Sequence, residues 1–517
     1  MKGQMNAAGR WIPDTINGKS VIPYKGVGQH KPTGTKAAPP ISTCSDYPRD
    51  GNKVVSSLQE ALKKAGLRNG MTISTHHHFR NGDKVANRIF DAVSRMGIKN
   101  TRWFPSAAFP CQEPIINHLK SGVIHHIEGS INGPLGDYCS SGNMKGMGVL
   151  RSHGGRYRSI QDGDVHIDIA VIAAPTADPF GNANGLQGPS ACGLLGFALA
   201  DSQYADKVII VTDNLIPFPC IPWQIHGNLV DFVVTMDNIG DPEKIVSGTT
   251  KITRSPSRLL ISEYIARFVK EAGIMKDGFS FQAGAGGTAL AFVMYLKKFM
   301  KDSGVKARFV RGGSTEYLVS LLEEGQTDYI LDGQTFDLEG IRSMRDNPNH
   351  VDTSPFTSYN YHGKGNFASM LDAVVLGATE IDVHFNANVV THSDGRLLHG
   401  MGGWQDCLFS KNTILAVPSF RDRLPVILDR VTTLCGPGEL IDVVVTERGI
   451  AINPLRKDLL KSVKKSDLPI RPLEDIKTEV EKICGGPPDP PKIDKRKAVA
   501  AIQWVDGTYI DMVYKVL

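Results

Sequence analysis

Two glycine-rich turns carry the residue patterns best suited to chemistry. Ser280-Phe-Gln-Ala-Gly284-Ala-Gly286-Gly287 follows a strand-like run and opens a helical one. Its glycines remove Cβ atoms, so an anion or a carbonyl oxygen can approach backbone N–H groups at the positive end of a helix. Read as G-x-G-x-x-A it also fits a dinucleotide fingerprint, although the next strand, Ala307-Arg-Phe-Val-Arg311, ends in arginine and not in an acid. An NADP site, a plain tight turn and a thioester or phosphate cradle are the readings left open. The second turn is His399-Gly400-Met401-Gly402-Gly403-Trp404-Gln405-Asp406, shortly after Asn386-Ala-Asn388. Rigid amides aimed at a developing oxyanion stabilise acyl-transfer intermediates, each donor contributing about 3 kcal/mol. Gly402, Gly403 and Asn388 are therefore candidates for that role.

Thr75-His76-His77-His78-Phe79-Arg80 lies where a strand gives way to a helix, the place at which open α/β sheets bind ligands. Adjacent positions at a strand end point in different directions, so one metal ion cannot collect all three imidazoles. Polar lining for a carboxylate, with Arg80 as a bidentate partner, competes here with a structural role for most of these side chains. In Ser314-Thr315-Glu316 the hydroxyls suit a helix cap with Glu316 in the first turn, and the sharper alternative makes Glu316 a nucleophile. Neither a hydrolase elbow nor a Walker A motif occurs, so serine hydrolysis and P-loop phosphoryl transfer have no support.

These residues need elements to hold them. Helical spacing from Ser57 to Gly66, a strand from Met71 and a helix from Val85 to Met96 begin an alternation of strands and helices that continues to about residue 465. Such alternation predicts an α/β fold with mostly parallel sheets. The chain also repeats itself. Asp168 to Asn184 can be laid over Asp372 to Asn388, with Asp178, Asn182 and Asn184 matching Asp382, Asn386 and Asn388. Gly70-Met-Thr-Ile-Ser-Thr75 pairs with Gly278-Phe-Ser-Phe-Gln-Ala283, and Val230-Asp-Phe-Val-Val-Thr235 with Ile441-Asp-Val-Val-Val-Thr446, in the same order and at nearly the same separation. The expectation is an irregular N-terminal arm over 1–52, a first α/β domain over 53–255, and a second over 256–517. Asp506-Gly507 marks a C-terminal hairpin that adds antiparallel strands to an edge. A cleft between the halves is the natural active site.

Composition agrees with a globular chain: 517 residues, 41% hydrophobic, 21% charged, 53 glycines and a net charge of +5. No basic cluster interleaved with aromatics suggests nucleic acid, and no apolar run is long enough to span a membrane. The eight cysteines lack CxxC spacing, which favours reduced thiols and a cytoplasmic location over a zinc site.

The combination of a duplicated α/β domain, Phe281-Gln-Ala-Gly-Ala-Gly-Gly-Thr288, Phe385-Asn-Ala-Asn388 and Gly400-Met-Gly-Gly403 resembles the CoA-transferase superfamily, whose domains share the fold of ribose-5-phosphate isomerase. His76-His77-x-Phe79-Arg80-x-Gly82-Asp83, Asp178-x-Phe-Gly-Asn-Ala-Asn-Gly185, Asp346-Asn-Pro-Asn-His350 and Glu380-Ile-Asp-x-x-Phe-Asn-x-Asn388 are similar to the citrate lyase alpha-chain family within it. The resemblance runs from about Val54 to the C-terminus. It implies exchange of acetate for citrate on the thioester of an acyl carrier protein that bears a phosphoribosyl-dephospho-CoA group. It implies no cofactor or metal held by the chain itself. The implied partners are a beta (citryl lyase) subunit and a gamma acyl carrier protein, in a complex with several copies of each chain. On this reading Gly284, Gly286, Gly287 and Gly400 lie along the thioester arm. His76, His77, Arg80, Asn182, Asn184 and Asn386 lie near citrate. Where many CoA transferases carry a nucleophilic glutamate, this chain reads Val310-Arg-Gly-Gly-Ser314, which favours direct attack of a citrate carboxylate and a mixed anhydride. An acetyl-CoA hydrolase or acetate CoA-transferase of the same fold, and a non-catalytic scaffold, are the rival readings.

Overall fold

The computed structural model describes residues 2–31, 44–245, 251–284, 286–361 and 363–517. Residues 32–43 of the expected arm, residues 246–250 next to the expected junction and Ala285 of the first glycine-rich turn lie outside them.

Two large sheets organise the chain, and β-branched runs build both. Ile169–Ala173 and Val443–Thr446 are buried along their whole length, as strands covered on two faces must be. The first sheet joins Thr72–Thr75, Thr101–Pro105, Ile124–Ile127, Ile169–Ala173, Lys207–Thr212 and Phe232–Thr235, with Val54–Val55 at one edge. The second joins Phe279–Ala283, Ala307–Ser314, Thr327–Thr335, Ala373–Leu376, Thr413–Ala416 and Val443–Thr446, flanked by His350–Asp352 and Gly449–Ile452. Numbering the six shared strands along the chain gives the order 3-2-1-4-5-6 in both sheets, a doubly wound arrangement. Every pairing in the first sheet is parallel, and in the second only Gly449–Ile452 runs antiparallel.

Local signals place the helices. Ser57 caps Leu58–Lys64 by accepting from the Glu60 N–H, Val85 precedes Ala86–Arg95, and Gly304 in the left-handed region ends Gly287–Ser303. Residues 2–31 are more regular than an irregular arm, because Gly3–Met5 pairs with Trp11–Pro13 and Thr15–Ile16 with Lys19–Ser20. This segment lies on the C-terminal hairpin: Asn6 donates to the Tyr509 and Ile510 carbonyls, and Ile12 and Ile16 pack with Val149, Ala501 and Met512. The hairpin, Ile493–Gln503 with Tyr509–Val516, forms a small sheet with Gly148–Leu150. Val149 in turn meets Glu128, just beyond the Ile124–Ile127 edge strand, through a single bridge. The last strands of the chain therefore extend the first sheet, not the second. Cys111, Cys139, Cys192, Cys220, Cys407, Cys435 and Cys484 are free, and among the described residues no helix is long and apolar enough to cross a membrane.

Candidate functional site

In doubly wound sheets the crevice opens where strands 1 and 4 diverge, at their C-terminal ends. A cavity of about 1070 Å³ opens at that point of the second sheet. Its floor is the end of Phe279–Ala283 with Gly284, and Leu376-Gly377-Ala378 beyond Ala373–Leu376. Its roof comes from strand ends of the first sheet: His77, Arg80, Ala107, Phe109 and Ser130. Both glycine-rich turns face this space, Gly284 from one and Gly400, Met401, Gly402 and Gly403 from the other.

The Gly400–Gly403 turn is shaped by contacts that only glycine permits. A Cβ on Gly400 would lie 2.3 Å from the Ser130 Oγ, which accepts from the Gly400 N–H at 2.9 Å. Gly402 has φ +57°, and a Cβ on Gly403 would lie 2.8 Å from the Tyr359 hydroxyl oxygen. Trp404 Nε1 donates to the Gly377 carbonyl at 2.8 Å, fixing the turn to the cavity floor. The N–H groups of Gly402 and Gly403 take no acceptor among the described residues, and both residues line the cavity. Two adjacent, rigid, unsatisfied amide donors beside a roomy cavity are what an acyl oxyanion requires.

Arg80 is one of three arginines in the lining, with Arg396 and Arg421. Arg396 pairs with Asp394, and Arg421 donates to the Thr379 and Ala378 carbonyls, which leaves Arg80 to be considered. Its guanidinium lies 4.3 Å from the centre of the Phe336 ring and 5.7 Å from that of Phe109. No carboxylate pairs with it among the described residues, and its buried Nη1 has no hydrogen-bond partner there. Burial pushes its pKa down to about 10. The residue holds φ +49°, a strained conformation for a side chain of this size. A half-buried cation on a strained backbone, with no carboxylate partner among the described residues, is a socket for an anion.

The three histidines part company. His76 Nε2 lies 2.9 Å from Asp201, which also takes both terminal nitrogens of Arg156. His78 donates through Nε2 to the Ala173 carbonyl at 2.6 Å, and burial pushes its pKa down to about 3. Only His77 lines the cavity. Its backbone N–H donates to the Ser106 Oγ, whose own proton goes to Nδ1 at 2.6 Å, so Nε2 carries the ring proton toward Gln334 Oε1 at 3.2 Å. Burial, with the neighbouring His153, holds this imidazole well below the ordinary histidine range, and it is neutral at physiological pH. His76 thus leaves the substrate-binding set for a buried ion-pair cluster.

The four asparagines are a second correction. Asp178 accepts from the N–H groups of Phe180, Gly181 and Asn182, and Asn182 bridges Asp178 to the Gly227 N–H. Asp382 and Asn386 repeat the device with the N–H of Gly438. Asn184 donates to the Pro222 carbonyl, and fully buried Asn388 joins Glu380, Thr391 and the Val390 N–H. All four amides are engaged within turns and lie outside the cavity lining. Glu316 is exposed at the start of the Glu316–Glu323 helix and is capped by Asp337, which accepts from its N–H at 2.7 Å; it does not line the cavity. Gly286 caps the Gly287–Ser303 helix, and a Cβ on Gly287 would lie 2.6 Å from the Lys251 carbonyl oxygen, so that glycine serves close backbone packing.

The sequence reading missed His153, Gln334, Phe336 and Tyr359, which all line the cavity. His153 stacks on His77 with ring centres 5.4 Å apart, and burial, then Arg156, pushes its pKa down to about 3. Gln334 and Phe336 follow from the strand order, since they close the third strand of the second sheet. The Ser152-His153-Gly154-Gly155 run carried a capping signal that was available in the sequence: Ser152 accepts from the Gly155 N–H.

Comparison with known proteins gives a consistent result. Residues 51–516 match the family model described as "Citrate lyase, alpha subunit (CitF)". A citrate lyase alpha chain of Haemophilus influenzae is 39% identical over 484 residues, 93% of this chain and 96% of that one. The crystal structure of an alpha subunit of citrate lyase from Streptococcus mutans, in complex with citrate, superposes with a TM-score of 0.94 at 40% identity, covering 99% of this chain and 100% of that one. A 4-hydroxybutyrate CoA-transferase from Porphyromonas gingivalis shares the fold, with a TM-score of 0.53 at 17% identity over 83% of this chain and 98% of that one.

Proposed function

The chain belongs to the citrate lyase alpha-subunit family, and we propose that it exchanges acetate for citrate on the thioester of an acyl carrier protein. The observation that carries this reading is one cavity holding the half-buried guanidinium of Arg80 together with the N–H groups of Gly402 and Gly403, none of which has a carboxylate or carbonyl partner among the described residues. The citrate held by the Streptococcus mutans relative supports the same substrate here. Arg80 takes one citrate carboxylate as a charge-assisted pair, and neutral His77 donates from Nε2 to polar groups beside it. A second carboxylate attacks the acetyl carbonyl carbon of the thioester. The oxygen of that carbonyl becomes an oxyanion under the Gly402 and Gly403 amides, and the C–S bond breaks to release thiolate and leave acetyl-citryl anhydride. The thiolate then attacks the citryl carbonyl carbon of the anhydride and acetate departs, leaving citryl thioester.

No protein nucleophile is required. Aspartates alone supply carboxylates to the described lining: Asp394, paired with Arg396 at 2.9 Å, and Asp422 at the rim. Holding two anions together and excluding water are then the chief tasks of the fold. Members of this family work within a multisubunit complex. The partners we propose are a citryl-lyase beta subunit and a gamma carrier bearing the CoA-like group, in the cytoplasm.

The test is release of labelled acetate from acetylated carrier protein by the purified chain, with and without citrate. Citrate-dependent release supports the proposal. Equal release without citrate, or turnover confined to free acetyl-CoA, overturns it.

A further inference from the structure

The turn that presents the Gly402 and Gly403 amides is held from the opposite half of the molecule. The His153 N–H donates to the Gly402 carbonyl at 2.8 Å. One turn onward, buried Asp406 of the Trp404–Cys407 helix accepts from the Ser152 Oγ at 2.8 Å and from the Gly154 N–H at 3.0 Å. Gly154 is obligatory for this approach, since a Cβ there would lie 2.4 Å from Asp406 Oδ1. Three consecutive residues of the first half thus grip both ends of the Gly402–Asp406 run of the second, at Gly402 and at Asp406.

We infer that Asp406 is a positioning residue, through which the Ser152–Gly154 turn of the first half keeps the Gly402 and Gly403 amides aimed at the acyl oxygen. The inference rests on the acyl-transfer reading above and deepens it. Asp406 never touches substrate, because it does not line the cavity. Its surroundings explain why a carboxylate is needed. Ser152 and Gly154 both present donors, so the ionised form, an acceptor only, satisfies them together. The other titratable groups near it are Arg311 from Ala307–Ser314, Tyr359 from Pro355–Tyr359, His153 at the head of His153–Gln161, and adjacent Cys407. Tyr359 and Cys407 are neutral, lifted by burial to well above and to about 12 respectively, and His153 is neutral, pushed down to about 3. Arg311 is therefore the one charge opposing the rise that burial causes, which lifts Asp406 to about 7. Above that pH the tie is complete; below it, protonation removes an acceptor and slackens the turn.

Three measurements on the full chain test this. Asp406→Ala lowers kcat for citrate-dependent acetate release about 100-fold, as loss or misplacement of an oxyanion donor does, with KM for citrate within twofold of the parent. Asp406→Asn, isosteric with the protonated acid and likewise left with one acceptor oxygen, holds kcat at pH 8 down at the level the parent shows below pH 7. It also abolishes the fall in kcat that the parent shows as pH drops through 7. Amide hydrogen exchange at the His153 and Gly154 positions rises at least tenfold in Asp406→Ala, a readout that holds even where the parent shows no transferase activity. Parent-like kcat in Asp406→Ala, an unchanged acid limb in Asp406→Asn, or unchanged exchange each overturns the inference. Absent activity in the parent with altered exchange in the variant defeats the functional reading alone.

Discussion

Replacing Arg80 by methionine should make the protein more stable and less able to bind citrate. The guanidinium is held at about 10 by burial, with no carboxylate beside it. Each tenfold change in proton affinity corresponds to about 1.4 kcal/mol, so the ionised side chain carries a folding cost of about 3 kcal/mol at most. Its stacking on Phe336 and Phe109 returns about 1–2 kcal/mol, part of which methionine retains through its own contacts with the rings. A net gain of about 1–2 kcal/mol in unfolding free energy follows. The sign is that of a base whose pKa falls on folding: the cost is fully present below pH 10 and is lost only as the pH rises above it. The stability difference between variant and parent is therefore flat from pH 6 to 9. Losing a charge-assisted, bidentate carboxylate contact removes about 1.5–3 kcal/mol of substrate binding, which raises KM for citrate about 10- to 100-fold. Urea unfolding at two pH values and the acetate-release assay measure the two effects on one preparation. A variant less stable than the parent with unchanged KM for citrate would show that Arg80 is structural and the reasoning wrong.

Other substitutions separate the turn from its supports. Gly400→Ala places a methyl group 2.3 Å from the Ser130 Oγ, so thermal unfolding should show a loss of about 1–3 kcal/mol. Combining it with Ser130→Gly should restore only a small part of that loss, because the Cα of residue 130 would still lie 2.6 Å from the new methyl group. Glu316→Gln should leave acetate exchange within about twofold, and peptide mass spectrometry of the parent after incubation with acetylated carrier should find no adduct on Glu316. Asn388→Ala strips partners from buried Glu380 and Thr391 and should cost about 2–3 kcal/mol in urea unfolding, while the folded fraction keeps its KM for citrate.

How much of this was readable in advance depended on whether a residue acts within one half or across both. Strand ends are local, so the His76–Arg80 run and the two glycine turns could be assigned to a crevice from pattern alone. The inward choice of His77 could not, because it depends on Ser106 in one half and Gln334 in the other. His153 was hidden for the same reason. The asparagines misled through their very regularity. The matching Asp178–Asn182–Gly227 and Asp382–Asn386–Gly438 bonds show what both copies of the repeated motif share, the locking of a turn outside the cavity lining. Repetition in such a chain is therefore a signal of scaffold, and departures from it, such as Gly402 where the matching Gly193-Leu-Leu-Gly196-Phe197 run has Leu195, are the better pointers to chemistry.

The seam between the halves has one further bearing. Gly400 lies on Ser130, Leu397 donates to Ser140, Leu194 to Thr335, and Ser152 and Gly154 to Asp406. A seam stitched at so many points, with no room for even a methyl group at Gly400, does not swing apart like a jaw to admit a bulky guest. On the proposed reading, a carrier of the acyl group stays outside and sends it into the cavity on a slender tether, so the length of that tether, more than the breadth of its owner, decides which donors can be served.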